Sequence, residues 1–394
     1  MNTLDTLRMV LYFTNIGMIL LIGAMFLVTP IIVRKSLLFG IRVPETVQSD
    51  PAVRALRKNY ILTSAVIYAI FAAVVTLQYF FLPSLTFMVC IYIPLLLIAI
   101  QLLIYIPRWN RAKALKNSNR WQVADSVPVE TRSSVEQARF SGLPWGWYIA
   151  SAIICLGMIA FTYYKYPLLP EKIIIHWNAS MKPNAWSQKN LWTVLTLPLI
   201  GFATVVLTLL CNIVIYKMKL QISTENPTLS FAQHRIYRKL LSHLIGWIAL
   251  TTTLLMMFMQ SLSISLFNVN TLLLWTVFIL YMAAMIVPNI LLNAMAGQSG
   301  CKLKPKAIPN AESVAPVEAT HVYSTKGDDK YWKLGMFYYN PDDPSIFVEN
   351  RFGTNSGLNY AKPVAKIGAV LLAVLLTAAY VWMTYLWFIS PGLR

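Results

Sequence analysis

The chain has few acidic residues: 15 Asp and Glu in 394 residues, against 33 Lys and Arg. Charged residues make up 12% of it, about half the share usual in soluble domains. It has only four histidines and four cysteines. These shortages exclude most site chemistry that needs converging titratable groups. Cys90, Cys155 and Cys211 fall in apolar runs and Cys301 in a loop, so no disulfide framework is implied. G-x-S-x-G, H-E-x-x-H and P-loop patterns are all missing from the sequence, and neither an enzyme nor a bound cofactor or metal is expected.

Eight stretches lack Asp, Glu, Lys, Arg and His altogether: Met9–Val33, Tyr60–Phe81, Ser84–Ile106, Trp145–Tyr164, Leu191–Tyr216, Leu244–Phe267, Thr271–Gly297 and Ile367–Ser390. Each reaches the roughly 20 residues that cross a hydrocarbon core of about 30 Å. The predicted fold is an all-α polytopic membrane protein of eight transmembrane helices, with the lipid bilayer as its first partner. The first run is too long for a signal-peptide core and lacks a small-residue cleavage pattern, so it is expected to remain as an anchor. Proton-coupled transport normally uses intramembrane carboxylates or histidines, and these runs have none.

The net charge of +18 is distributed unevenly. Segments 34–59, 107–144, 217–243 and 298–366 hold 27 of the 33 basic residues. The positive-inside rule makes those four cytoplasmic. Both termini and the stretch 166–189 are then extracytoplasmic, in a multi-pass cell-membrane protein. No helix-turn-helix, finger or aromatic nucleic-acid motif accompanies the charge, so direct nucleic-acid binding is not expected.

The chain divides into a three-helix region (1–107), a cytoplasmic loop (108–144) and a helix–loop–helix unit (145–216). A second loop (217–243), a helical hairpin (244–297), a linker with a small module (298–366) and a final helix (367–394) follow. Within 34–59, Asp50-Pro51 is a good helix start. The basic residues there are expected to anchor on anionic headgroups. His234 and His243 sit among cations and read as a solvated basic face. Pro288, Asn289 and Asn293 put a kink and amides into the seventh run, where amides usually bond neighbouring helices. Met256, Met257, Met259, Met282 and Met285 read as adaptable packing.

The densest polar feature between apolar runs is 166–189. Pro167, Pro170 and Pro183 disfavour a continuous helix, Ile173–Ile175 lean towards an extended backbone, and Ser187 or Asn190 can cap the next helix. His176, Trp177 and Asn178 place an ionisable ring, a large aromatic and an amide together. The pattern Tyr166-Pro167-x-Leu169-Pro170, His176-Trp177-Asn178 and Pro183-x-x-Trp186-x-x-Lys189 resembles the signature of the bacterial SdpI-like membrane proteins. Met181 stands where that pattern has glycine and Asn184 where it has aspartate, which removes one carboxylate as a contact. The candidate ligand-contacting residues are Tyr166, Pro170, His176, Trp177, Asn178, Pro183, Trp186 and Lys189.

Residues 298–330 read as a linker. Tyr331–Tyr339 is aromatic and strand-like, Asn340–Ser345 is dense in turn formers, and Ile346–Val348 can return as a second strand. The region resembles a second, uncharacterised module found at the cytoplasmic end of SdpI-like proteins. The matching residues are Trp332, Gly335, Tyr338, Tyr339, Asn340, Pro341, Asp342, Asp343, Pro344, Arg351, Gly353 and Asn359. Its candidate functional residues are Trp332, Asn340, Asp342, Asp343, Arg351 and Asn359. The spaced ligands and closing Glu of a calcium loop are missing, and the carboxylates are expected to cap a turn.

The SdpI-like resemblance implies immunity to an exported toxic peptide, sensed through 166–189, and recruitment of a cytoplasmic transcriptional regulator. The alternative is a permease or accessory subunit for a peptide or lipid-like substrate.

Overall fold

A computed structural model describes residues 3–121, 142–178, 182–218, 227–267, 270–304, 328–351 and 356–389. Among these, eight helices are long and apolar enough to cross a membrane. They are α1 (Thr3–Ile32), α2 (Pro51–Phe81), α3 (Thr86–Ser118), α4 (Trp145–Lys165), α5 (Leu191–Lys217), α6 (Pro227–Ser263), α7 (Thr271–Ala296) and α8 (Pro363–Ile389). The protein is an all-α polytopic membrane protein carrying small two-stranded sheets. The helices outrun the apolar stretches: α3 continues to Ser118 and α6 begins at Pro227, so parts of both basic segments are helix. Most of the 108–144 loop, most of the 298–330 linker and the turn at 268–269 lie outside the described residues.

The chain forms two compact units. In the first, α1, α2 and α3 pack through Ile19, Tyr68, Val75, Ile93 and Leu97. Amides contribute where apolar packing alone has little driving force in lipid. Gln101 accepts from the Tyr68 hydroxyl at 2.9 Å and donates to the Tyr60 hydroxyl at 2.6 Å. Asp50 caps α2 by accepting from Ala52 N at 2.7 Å, with Pro51 at the first turn, as the sequence predicts.

Segment 34–59 forms a packed turn that the sequence did not suggest. Leu37–Leu38 (β1) pairs with Ile41–Arg42 (β2) across a two-residue turn, Phe39-Gly40. Both turn residues have positive φ, 45° and 75°, the pattern of a type I′ turn. Leu38, Phe39, Ile41 and Val43 are buried with Tyr60, Ile104 and Tyr105. Against this turn lies another, Leu334-Gly335-Met336, between Trp332–Lys333 (β5) and Phe337–Tyr338 (β6). A Cβ on Gly40 would sit 2.5 Å from Gly335 O, so only glycine permits this approach. The Tyr105 hydroxyl reaches both turns, 2.9 Å from Phe39 O and 3.0 Å from Leu334 O.

Residues 331–351 hold extended structure and no continuous helix, but the strand pairing differs from the sequence expectation. Phe347–Glu349 (β7) pairs with Ser356–Leu358 (β8), not with 331–339. The aromatic run closes on itself, and a single bridge, Tyr338 to Asn359, links the two ladders.

In the second unit α4 packs on α5, with Tyr148, Cys155, Val205, Ala249 and Met257 buried between α4, α5 and α6. Asn212 donates to the Tyr148 hydroxyl at 2.7 Å and to Ser242 O at 3.1 Å. Asn289 and Asn293 instead donate to carbonyls one turn back on α7, each at 2.8 Å. They do not join helices, contrary to the expectation for intramembrane amides. His234 is buried and 2.6 Å from Ser230 O, which corrects its reading as part of a solvated face.

Candidate ligand-binding site

The polar stretch of the second unit folds as an antiparallel hairpin, Lys172–Trp177 (β3) with Pro183–Gln188 (β4). Ile173 is fully buried with Leu169, Val194 and Ile264, fixing the hairpin on the ends of α5 and α6. The Ser263 hydroxyl, at the end of α6, donates to Ile174 O. At the base, Lys189 Nζ lies 3.0 Å from Leu169 O and from Glu171 Oε1, and over the Tyr166 ring. At the tip, Asn178 exchanges bonds with Lys182: Asn178 N donates to Lys182 O at 2.8 Å, and Lys182 N to Asn178 Oδ1 at 2.9 Å. Asn190, not Ser187, caps α5, accepting from Thr193 N at 2.9 Å.

The pairing slips twice, at Ile174/His176 and at His176/Trp177. A regular strand shows alternate residues to each face, whereas a bulge re-aims a side chain. Here Ile174, Ile175, His176 and Trp177 all line one cavity of about 560 Å³. That volume lies within the usual range for small-molecule sites, about 300–1,000 Å³. Beneath the hairpin the walls are Thr193, Thr196 and Leu197 on α5, Leu255, Met256, Phe258 and Met259 on α6, and Leu274, Val277 and Phe278 on α7. From Ser263 to Leu255 along α6 the cavity descends about 12 Å at 1.5 Å per residue. Its hairpin end carries a ring nitrogen, an indole and hydroxyls, and its deep end is apolar.

His176 Nδ1 lies 2.6 Å from Asn184 Oδ1 across the hairpin. An amide oxygen only accepts, so Nδ1 donates and Nε2 remains for other contacts. Asn184, named in the sequence only for the missing carboxylate, is thus the group that orients the histidine.

The structure divides the sequence candidates. His176 and Trp177 line the cavity. Tyr166, Asn178 and Lys189 hold the base and tip of the hairpin. Pro183 starts β4 opposite Trp177, and Pro170 precedes β3. Trp186 is half exposed and is not a wall of the cavity. The α6 and α7 walls were missed, because nothing in an apolar run marks which residues face a cavity. Among the described residues, no group of three or more His, Cys, Asp or Glu could hold a metal ion.

The second candidate cluster lies in the first unit and is a closed network. Arg351, 1% exposed, bonds Gly40 O at 3.0 Å, pairs with Asp329 and lies 5.1 Å from the Trp332 ring centroid. Asp329 also binds Lys116 at 2.7 Å. Burial pushes the Asp329 carboxyl up, but Arg351 and Lys116 outweigh it and hold it below the usual carboxylate range. Arg34 pairs with the buried Glu349. Asp343 accepts from the Tyr338 hydroxyl at 2.7 Å and from Ser345 N at 2.9 Å. Asn359 bridges Asn340 and the Asp343 carbonyl. Asp342 is exposed, and its backbone N bonds Asn340 Oδ1 at 3.0 Å. Trp332, Asn340, Asp343, Arg351 and Asn359 therefore converge in one buried polar core, while Gly353 lies outside the described residues.

No curated protein and no solved structure matches this chain. Two family models match parts of it. A domain of unknown function (DUF1648) matches residues 153–202, from within α4 through the hairpin to the first turns of α5. A family of unknown function (DUF5808) matches residues 341–366, from the turn after β6 to the start of α8. Neither description names an activity, and the SdpI-like resemblance rests on the residues quoted above.

Proposed function

We propose that this membrane protein senses or neutralises an external amphipathic peptide, whose apolar part enters the cavity beneath the β3–β4 hairpin. The observation that carries this reading is the cavity itself. Four consecutive residues, Ile174 to Trp177, line it where the strand register slips twice, and the polar groups gather at the hairpin end. The sidedness comes from the distribution of basic residues, which puts the hairpin outside and the 328–359 module inside. A role of the toxin-immunity type follows from the SdpI-like resemblance, and the module is then the surface for a cytoplasmic regulator. Catalysis forms no part of this reading.

The test is His176→Ala combined with Trp177→Ala. The hairpin keeps Ile173 and the Ser263 bond, so membrane abundance should stay normal. Truncating central aromatic contacts typically costs about 2 kcal/mol, about thirtyfold in affinity, and protection against the peptide should be lost. Collapse of abundance would make the hairpin a folding element. Unchanged protection would make it a connector, and substrate-dependent flux in proteoliposomes would make the protein a permease.

A further inference from the structure

We infer that the group entering the cavity is a single hydrocarbon chain, so that the ligand is an acylated amphiphile with a neutral, hydrogen-bonding head. This rests on the reading of the hairpin site given above and narrows its ligand class. An extended peptide is disfavoured by its chemistry. Each residue brings an N–H and a C=O that are costly to bury without partners. The apolar walls, Leu255, Met256, Met259, Leu274 and Val277, offer no side-chain partner. Of the hydroxyls nearer the hairpin, Thr196 already donates to Trp192 O and Ser263 to Ile174 O, which leaves those of Ser187 and Thr193.

An alkyl chain makes no such demand, and two methionines give it walls that adapt to its course. The head is argued from charge. Among the described residues, no Lys, Arg, Asp or Glu lines the cavity, so a phosphate would find no cation there. At the hairpin, Asn184 occupies His176 Nδ1 and leaves Nε2 to meet an amide or hydroxyl.

The experiment uses the full chain in phosphatidylcholine nanodiscs. The probe is N-dodecanoyl glycinamide carrying a diazirine at the end of its chain, with cross-links mapped by mass spectrometry. The expected cross-links fall on 255–259 and 274–278. Unlabelled N-acyl glycinamides should compete, losing about fifteenfold in affinity for every two methylenes removed. Met259→Trp, which fills the cavity, should abolish these cross-links. Leu197→Phe, a smaller change, should weaken them if Met259→Trp fails to fold. Cross-links spread over the lipid-facing helices and unchanged by either variant would overturn the inference. Equal competition by a lysophosphatidylcholine of the same chain length would overturn the neutral head. Stronger competition by an unacylated amphipathic peptide would overturn the acyl chain while leaving the peptide-sensing reading intact. That reading fails separately, if the His176→Ala, Trp177→Ala variant keeps full protection.

Discussion

Replacing Asp329 by alanine tests how the buried core of the 328–359 module is held. The carboxylate sits between Arg351, whose side chain is 1% exposed, and Lys116 at 22%. Without it, Arg351 keeps Gly40 O and the Trp332 face but loses the Asp329 carboxylate. Breaking one side of a buried pair typically costs about 3–5 kcal/mol, a shift of roughly a hundredfold to several thousandfold in the opening equilibrium. Hydrogen exchange of the 332–349 amides, in full-length protein, reads that shift directly. Asp329→Leu with Arg351→Met removes both charges and should return exchange to within about tenfold of the parent. The pH dependence has a definite sign. Asp329 is held below its ordinary pKa, so its stabilisation is complete above about pH 4 and is lost as pH falls through the folded value. Asp329→Ala should lose that acid-linked step. An exchange increase under fivefold in Asp329→Ala, with the acid step intact, would refute the reasoning.

Ile173→Ala opens a cavity where β3 meets α5 and α6, and should cost about 2–4 kcal/mol, seen as proteolysis of the 166–189 hairpin at lower temperature. Gly40→Ala meets both a positive φ and the Gly335 backbone. It should destabilise the paired turns by about 2–4 kcal/mol, and unchanged exchange at Leu334–Met336 would refute the turn-on-turn contact. In a cysteine-free background, impermeant labelling in intact cells should reach Gln188→Cys and not Lys113→Cys. The reverse result would invert the topology.

The helices were legible because hydropathy and length act locally, and Asp50-Pro51 marks its own helix start. The pairings were less so. Three prolines in 166–189 disfavoured a helix and Ile173–Ile175 leaned to an extended backbone, but the partner strand was not foreseen: Pro167 and Pro170 precede β3 and Pro183 begins β4, where a missing N–H is tolerated. The register slips, at Ile174/His176 and His176/Trp177, are not encoded in local propensity. The Phe39-Gly40 turn lacks the Asn-Gly signal of type I′ turns. A phenylalanine accepts positive φ there because it packs on Tyr60 and Tyr105. Its partner turn lies nearly 300 residues later, beyond any periodicity. Asp343 and Asn359 stood out as polar residues, but only the fold shows that Asp343 accepts from Tyr338 and Ser345 while Asn359 ties Asn340 to the Asp343 carbonyl.

We propose that the cavity beneath the hairpin mediates a response to an external amphiphile. Survival of cells with and without this gene, challenged by an added amphipathic toxic peptide, is the direct test when Leu197→Trp is included. A tryptophan there fills the cavity from α5 and leaves the hairpin surface unchanged. The parent should protect while Leu197→Trp, at equal membrane abundance, should not. Full protection by Leu197→Trp would contradict it.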